Sequence, residues 1–204
     1  MNVAVLGGFG MQGRAAVVDL ARSEGVETVV CADNRLGGKD DMADLRKVAI
    51  TELDATSPDR LQALLGQVDA AIDLLPRQFG RAVCQAAIQA GTHVVNTNYN
   101  YDIADLDHAA QSAGVSIMPE CGLDPGIDLV LYGLAREMFT ELHLVNSYCG
   151  GLPEARAANN PLKYKVSWNW EGVLSSSKRD SRAIVDGQVV DIPGARQHDP
   201  AHVH

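Results

Sequence analysis

Aromatic residues are sparse, at 5%, and basic residues are few and scattered, with 17 Lys and Arg against 26 Asp and Glu for a net charge of −9. A phosphate backbone or an anionic membrane is held by clustered cations, so neither nucleic acid nor a membrane surface is an expected partner. No apolar run approaches the roughly 20 residues that span a bilayer. The chain opens directly on an apolar strand pattern, Asn2–Leu6, so no signal peptide is expected and the expected location is cytoplasmic. The four cysteines, Cys31, Cys84, Cys121 and Cys149, form no C-x-x-C pair and have no histidine at ligand spacing. No metal site is expected from them. Cys31 and Cys84 fall in apolar patterns, as small core residues do.

What is present starts at once. The apolar strand Asn2–Leu6 runs into Gly7-Gly-Phe-Gly-Met-Gln-Gly13, a helical stretch follows, and Val29–Ala32 ends at Asp33. Gly8, Gly10 and Gly13 satisfy G-x-G-x-x-G at the carboxyl end of a buried strand, a dinucleotide-binding fingerprint. The pattern assigns the tight turn to Gly8, close approach of a pyrophosphate to Gly10 and helix–strand packing to Gly13, with Phe9 and Met11 in the same cradle. The pyrophosphate would lie on the helix amino end, where unpaired N–H groups and the positive dipole end point at it. Asp33, twenty residues beyond Gly13, can accept both ribose hydroxyls, and its charge favours NAD over the 2′-phosphate of NADP. Asn34 adjoins it. Arg35 could hold a 2′-phosphate or lie as a solvated loop residue, which keeps NADP open.

At 204 residues, 46% hydrophobic and 21% charged, the chain suits one domain or one and a half. After Asp33 the pattern keeps alternating. A helix is predicted at Gly38–Arg46, a strand at Val48–Leu53, a helix at Pro58–Gly66, a strand at Ala70–Leu75, a helix at Gln78–Ala90 and a strand at His93–Asn96. A helix at Asp102–Gly114 and a strand around Val115–Met118 complete six strands. The expected fold is α/β, a doubly wound parallel Rossmann sheet over residues 1–126, with ligands outside the carboxyl ends of its strands. Leu75 and Pro76, after the fourth strand, should flank the nicotinamide ribose, and Asn96, after the fifth, can bond ribose hydroxyls or a carboxamide. Asp54, closing the third strand, could approach the adenine end.

Beyond residue 126 the character changes. Ile127–Phe139 reads as an apolar helix and Glu141–Cys149 alternates like a half-solvated strand. Asp186-Gly187 between β-branched runs signals a hairpin over Ile184–Val190. Residues 127–194 therefore read as an incomplete mixed α/β second domain and 195–204 as a disordered tail, with His198, His202 and His204 in it.

The fingerprint, together with Cys121-Gly-Leu-Asp-Pro-Gly126, Tyr148-Cys-Gly-Gly-Leu-Pro153 and Asn160–Trp168, resembles the saccharopine dehydrogenase family, which includes saccharopine reductases, lysine 6-dehydrogenases and carboxynorspermidine dehydrogenases. The resemblance runs to about Pro193. It implies a nicotinamide oxidoreductase acting on the C–N bond of an amino acid, with a second domain that carries substrate contacts and makes a homodimer. Family members continue past this point, so the resemblance also admits a truncated, inactive nucleotide-binding relative with a sensor or interaction role.

Hydride transfer at a carbon bearing nitrogen needs an oriented nicotinamide, a charged group for the substrate carboxylate and a path for a proton. The candidates for proton transfer are Asp124 and, in the second domain, Lys163 or Lys165; Lys165 could instead bind a carboxylate. Asp124 before Pro125 is also an ordinary turn former. Cys121, Gly122, Gly150 and Gly151 allow backbone close to a substrate, and Tyr164 and Trp168 could wall its pocket or serve as packing residues. A lysine-like substrate would need acidic groups such as Glu120 and Asp124; saccharopine would need several cations. The residues do not choose between them.

Overall fold

The computed structural model describes residues 1–37, 42, 45–99, 103–150, 153–161, 163–166, 170–176 and 178–196. The expected helix at Gly38–Arg46 falls largely outside them, as do the tail histidines. The chain forms two compact units, Met1–Ser147 and Tyr148–His204.

The first unit is built on six parallel strands: β1 (Asn2–Leu6), β2 (Thr28–Asp33), β3 (Val48–Glu52), β4 (Ala70–Asp73), β5 (His93–Asn96) and β6 (Ile117–Met118), in the order β3-β2-β1-β4-β5-β6. This is the dinucleotide-binding order, with its topological switch between β1 and β4. Alternation along the strands supplies two cores. Ala4, Leu6, Ala32, Ala71 and Val94 share one face with Leu61, Leu64 and Leu65 of α2 (Pro58–Leu65) and with Val83, Ala86 and Ala87 of α3 (Gly80–Ala90). Val3, Val5, Val29 and Cys31 face the other way, onto Val17 of α1 (Met11–Arg22) and onto Met42. Pro58, with no N–H to satisfy, stands in the first turn of α2. A short 3-10 turn, Arg77–Phe79, leads into α3, and another, Ala104–Leu106, leads into α4 (Asp107–Ala113).

Past β6 the tight segment Gly122–Gly126 leads into α5 (Ile127–Met138). This helix is apolar on almost every side and open to solvent, with Val130 64% and Met138 74% exposed. The strand expected at Glu141–Cys149 does not form. Its residues are exposed and, among the described residues, no strand pairs with them, and a half-apolar strand gains its stability from a neighbour.

The second unit, by itself, carries α6 (Trp170–Ser176) and an antiparallel hairpin of β7 (Ser181–Val185) and β8 (Gln188–Ile192). Asp186 and Gly187 both have positive φ, 50° and 75°, as the expected two-residue turn requires. Arg182 and Asp191 form an ion pair across the strands at 2.9 Å. No helix is predicted at α6, whose seven residues are too few to show a helical period. The 3-10 turn Gly194–Arg196 overlaps the start of the expected tail, and 197–204 lie outside the described residues.

Candidate cofactor and substrate site

The cofactor candidates gather at the carboxyl edge of the sheet. The chain reverses at Gly7, φ 79°, and the N–H groups of Gly7 and Gly8 both donate to the Ala32 carbonyl, at 2.8 and 3.1 Å. The turn was expected at Gly8. Gly8 instead lies against β2, where a Cβ would stand 2.5 Å from the Cys31 sulfur. At Gly13 a Cβ would come within 2.1 Å of the Gly7 carbonyl oxygen, so α1 can seat on the turn only with glycine there. Gly10 and Met11 are exposed at the start of α1, and no side chain caps that end. Its first-turn amides are left for an anion, which fits a dinucleotide pyrophosphate.

Asp33, at the end of β2, accepts the Phe9 N–H at Oδ2 and the Arg35 N–H at Oδ1, each at 3.0 Å. The acid therefore braces the glycine turn, and each oxygen keeps a lone pair for a ribose hydroxyl. Asn34 and Arg35 are exposed beside it. Arg14, absent from the sequence-based candidates, donates from Nε to the Phe9 carbonyl and from Nη2 to the Gly37 carbonyl, both at 3.3 Å. Its guanidinium lies 6.0 Å from the Phe9 ring centroid. A basic residue directly after the third glycine was the available signal. Burial and the neighbouring Asp33 carboxylate push the Cys31 thiol up to about 11, with Arg14 opposing them. Asp54 is committed locally: its Oδ1 accepts the Thr56 N–H and hydroxyl at 2.9 and 2.6 Å, bonds that hold its carboxyl below the usual range.

Across the switch point, Leu75 is half-buried and Pro76 exposed. Asp73, not among the sequence-based candidates, is fully buried and accepts the Leu75 N–H at 3.0 Å. Asn96 is buried beside it in register, and its Oδ1 accepts the Asn98 N–H at 3.0 Å. The ends of β5 and β6 are stitched together: the Cys121 N–H donates to the Asn96 carbonyl at 2.8 Å, and the Glu120 N–H to the Asn98 carbonyl at 3.1 Å. Glu120 is left-handed, φ 62°, a conformation unusual outside glycine. From Gly122 the chain wraps on itself, the Gly122 N–H meeting the Pro125 carbonyl and the Ile127 N–H the Gly122 carbonyl, both at 3.1 Å. Cys121 and Asp124 are exposed on this segment and Gly122 is half-buried.

The other substrate candidates belong to the second unit. Gly150 and Lys165 are exposed. Tyr164 is half-buried, its backbone tied to the Asn160 side chain and its ring 5.8 Å from the Trp170 ring, so it serves there as a packing residue. Gly151 and Trp168 lie outside the described residues.

A family model for the saccharopine dehydrogenase NADP binding domain matches residues 3–118, and one for the saccharopine dehydrogenase C-terminal domain matches 122–204. The chain belongs to the saccharopine dehydrogenase family. It is 34% identical over 185 residues to a saccharopine dehydrogenase [NADP(+), L-glutamate-forming] of Pyricularia oryzae, covering 87% of this chain and 40% of that protein. It is 32% identical over 184 residues to the alpha-aminoadipic semialdehyde synthase of Arabidopsis thaliana, covering 86% of this chain and 17% of the relative. The solved apo saccharopine dehydrogenase (L-Glu forming) of Saccharomyces cerevisiae superposes with a TM-score of 0.79 at 30% identity, over 95% of this chain and 44% of that one. The family member thus spans less than half the length of these relatives. The expected preference for NAD finds no support in them: the matching family model is of an NADP binding domain. Among the described residues, no helix is long and apolar enough to cross a membrane.

Proposed function

We propose that the protein is an NADP-dependent oxidoreductase acting on the C–N bond of an amino acid of the saccharopine or lysine type. The observation that carries this reading is the glycine turn braced by Asp33 in a chain whose two stretches match the NADP binding and C-terminal domains of one dehydrogenase family. The nicotinamide supplies the hydride acceptor or donor. The first-turn amides of α1 would hold the pyrophosphate, Asp33 the ribose, and Arg35 the 2′-phosphate. Leu75, Pro76 and Asn96 would border the nicotinamide half. In this reading Asp124 exchanges a proton with the substrate nitrogen and Lys165 binds a carboxylate. The domain boundary falls near Gly126, with cofactor contacts before it, the substrate candidates Cys121, Gly122 and Asp124 in the segment leading up to it, and further substrate contacts and a homodimer surface in residues 127–194. A cytoplasmic location is part of the same reading.

A second reading, nucleotide binding without turnover, is favoured by the exposure of Asp124 within the first unit, since closure of a site from water strengthens the electrostatics that proton transfer draws on. Titration with NADPH followed by assay with saccharopine and NADP(+) separates the two. Binding with turnover supports the enzyme; binding without it supports the second reading; and no binding removes both. Sedimentation of the same sample reads the dimer.

A further inference from the structure

Among the described residues, two buried side-chain atoms have no hydrogen-bond partner, Oδ2 of Asp73 and Nδ2 of Asn98. Asp73 ends β4 in the row Leu6, Asp73, Asn96, which continues the face packed by α2 and α3. It is 0% exposed. Its satisfied oxygen, Oδ1, holds the Leu75 N–H, while the Leu74 N–H donates to the Leu6 carbonyl at 3.0 Å. The Leu74 carbonyl oxygen in turn packs beneath Gly7, so closely that a Cβ on Gly7 would stand 2.9 Å from it. One buried carboxyl therefore sets the turn that supports the glycine cradle from below.

Among the described residues, no cation offsets a charge at this place. Strand β1 carries no ionisable side chain. On β5 the ionisable group is His93, at the opposite end and exposed; the turn after β4 offers Arg77, and α3 offers Arg81, which is exposed and paired with Asp105. Asp59 and Arg60 of α2 are exposed, and Arg14 and Asp33 serve the Phe9 side of the turn. Burial accordingly pushes the Asp73 carboxyl up to about 6, against the opposing pull of the Leu75 N–H.

We propose that Asp73 is a positioning residue for the cofactor whose carboxyl takes up a proton as the dinucleotide binds. The inference rests on the cofactor reading of the glycine turn given above. A bound dinucleotide brings the negative pyrophosphate onto the turn that Asp73 supports and expels water from the crevice; both disfavour an ionised carboxyl nearby. The proton comes from solvent and goes to the Asp73 carboxylate. By linkage, whatever raises the pKa on binding makes affinity fall as pH rises through the value of the free protein.

The test is calorimetric titration of the full chain with NADPH, in two buffers of different ionisation enthalpy, for the wild type and Asp73→Asn. The amide retains an oxygen for the Leu75 N–H and cannot titrate. Histidines and the cofactor 2′-phosphate titrate in both proteins and cancel in the difference. At pH 6.5 the wild type should take up a larger fraction of a proton than the variant. Between pH 5.5 and 8 its Kd should weaken about tenfold more, the effect of a one-unit rise on binding. Equal proton uptake in the two proteins overturns the proposal. If Asp73→Asn does not fold, carboxyl-carbon NMR titration of wild-type Asp73 with and without NADPH decides: a higher midpoint in the complex supports it and an unchanged one overturns it. Failure to bind NADPH at any pH would instead remove the cofactor reading, and the proposal with it.

Discussion

The Asp33 carboxylate accepts the Phe9 N–H at 3.0 Å, so the acid that ends β2 holds the glycine turn in shape before any ribose reaches it. Asp33→Ala should then damage the empty protein as well as the complex. A hydrogen bond to a charged acceptor contributes about 1.5–3 kcal/mol. Denaturant unfolding without cofactor should show a loss of about 2 kcal/mol, and NADH, which offers both ribose hydroxyls to the acid, should bind more weakly. An unchanged unfolding midpoint would confine Asp33 to ribose binding.

Cofactor choice rests on the neighbouring pair. Asp33 has its charge partly engaged by two backbone donors, while Arg35 is exposed with its backbone fixed by the same carboxylate. A guanidinium held at the 2′-phosphate makes charge-assisted bonds that NADH cannot use. Arg35→Ala should weaken NADPH about tenfold, which is about 1.4 kcal/mol, and leave NADH nearly unchanged. Fluorescence titration with both cofactors reads the ratio, and equal losses would place Arg35 outside the phosphate site.

The parallel sheet was legible because each of its longer strands is an apolar run and its glycine turn has a fixed relation to the strand before it. The two cores follow from the same alternation: Ala4 and Leu6 to one side, Val3 and Val5 to the other. What escaped is non-local. Nothing local distinguishes Asp73 from a strand-end aspartate facing water; its burial depends on β1, β5 and α3 closing over it. The expected strand at Glu141–Cys149 had the right alternation, but a strand exists only with a partner, and pairing is not written in its own residues. Arg14 was in view as a helix residue, yet its contact with Phe9 depends on how the glycine turn curls back.

Thiol reactivity should follow burial. The Cys31 thiol, pushed up to about 11, is almost wholly protonated at pH 8, and only the thiolate attacks a disulfide reagent. Cys84 is also buried, whereas Cys121 and Cys149 are exposed. An aromatic disulfide reagent should titrate two thiols quickly in the native protein and four in denaturant, with peptide mapping placing the fast pair at Cys121 and Cys149. Rapid labelling of Cys31 would mean that β2 and the glycine turn open readily.

Asp73 should also make stability depend on pH. Its carboxyl sits at about 6 in the folded protein against about 3.9 in an unfolded chain. Below about pH 3, well under the unfolded value, it is protonated in both states and stability is at its full value. As pH rises toward 6 the unfolded chain ionises freely while the folded one cannot, so stability falls and levels off above the folded value. Two units correspond to about 3 kcal/mol. Asp73→Asn removes this slope while leaving the other acids in place, so the comparison of interest is the wild-type-minus-variant difference at two pH values. Between pH 3 and pH 8 that difference should move about 3 kcal/mol in favour of the variant, whatever packing penalty the amide brings, because that penalty is the same at both. Urea unfolding at each pH measures it. A difference that stays constant would mean that Asp73 finds a cation or a solvent path in the folded protein.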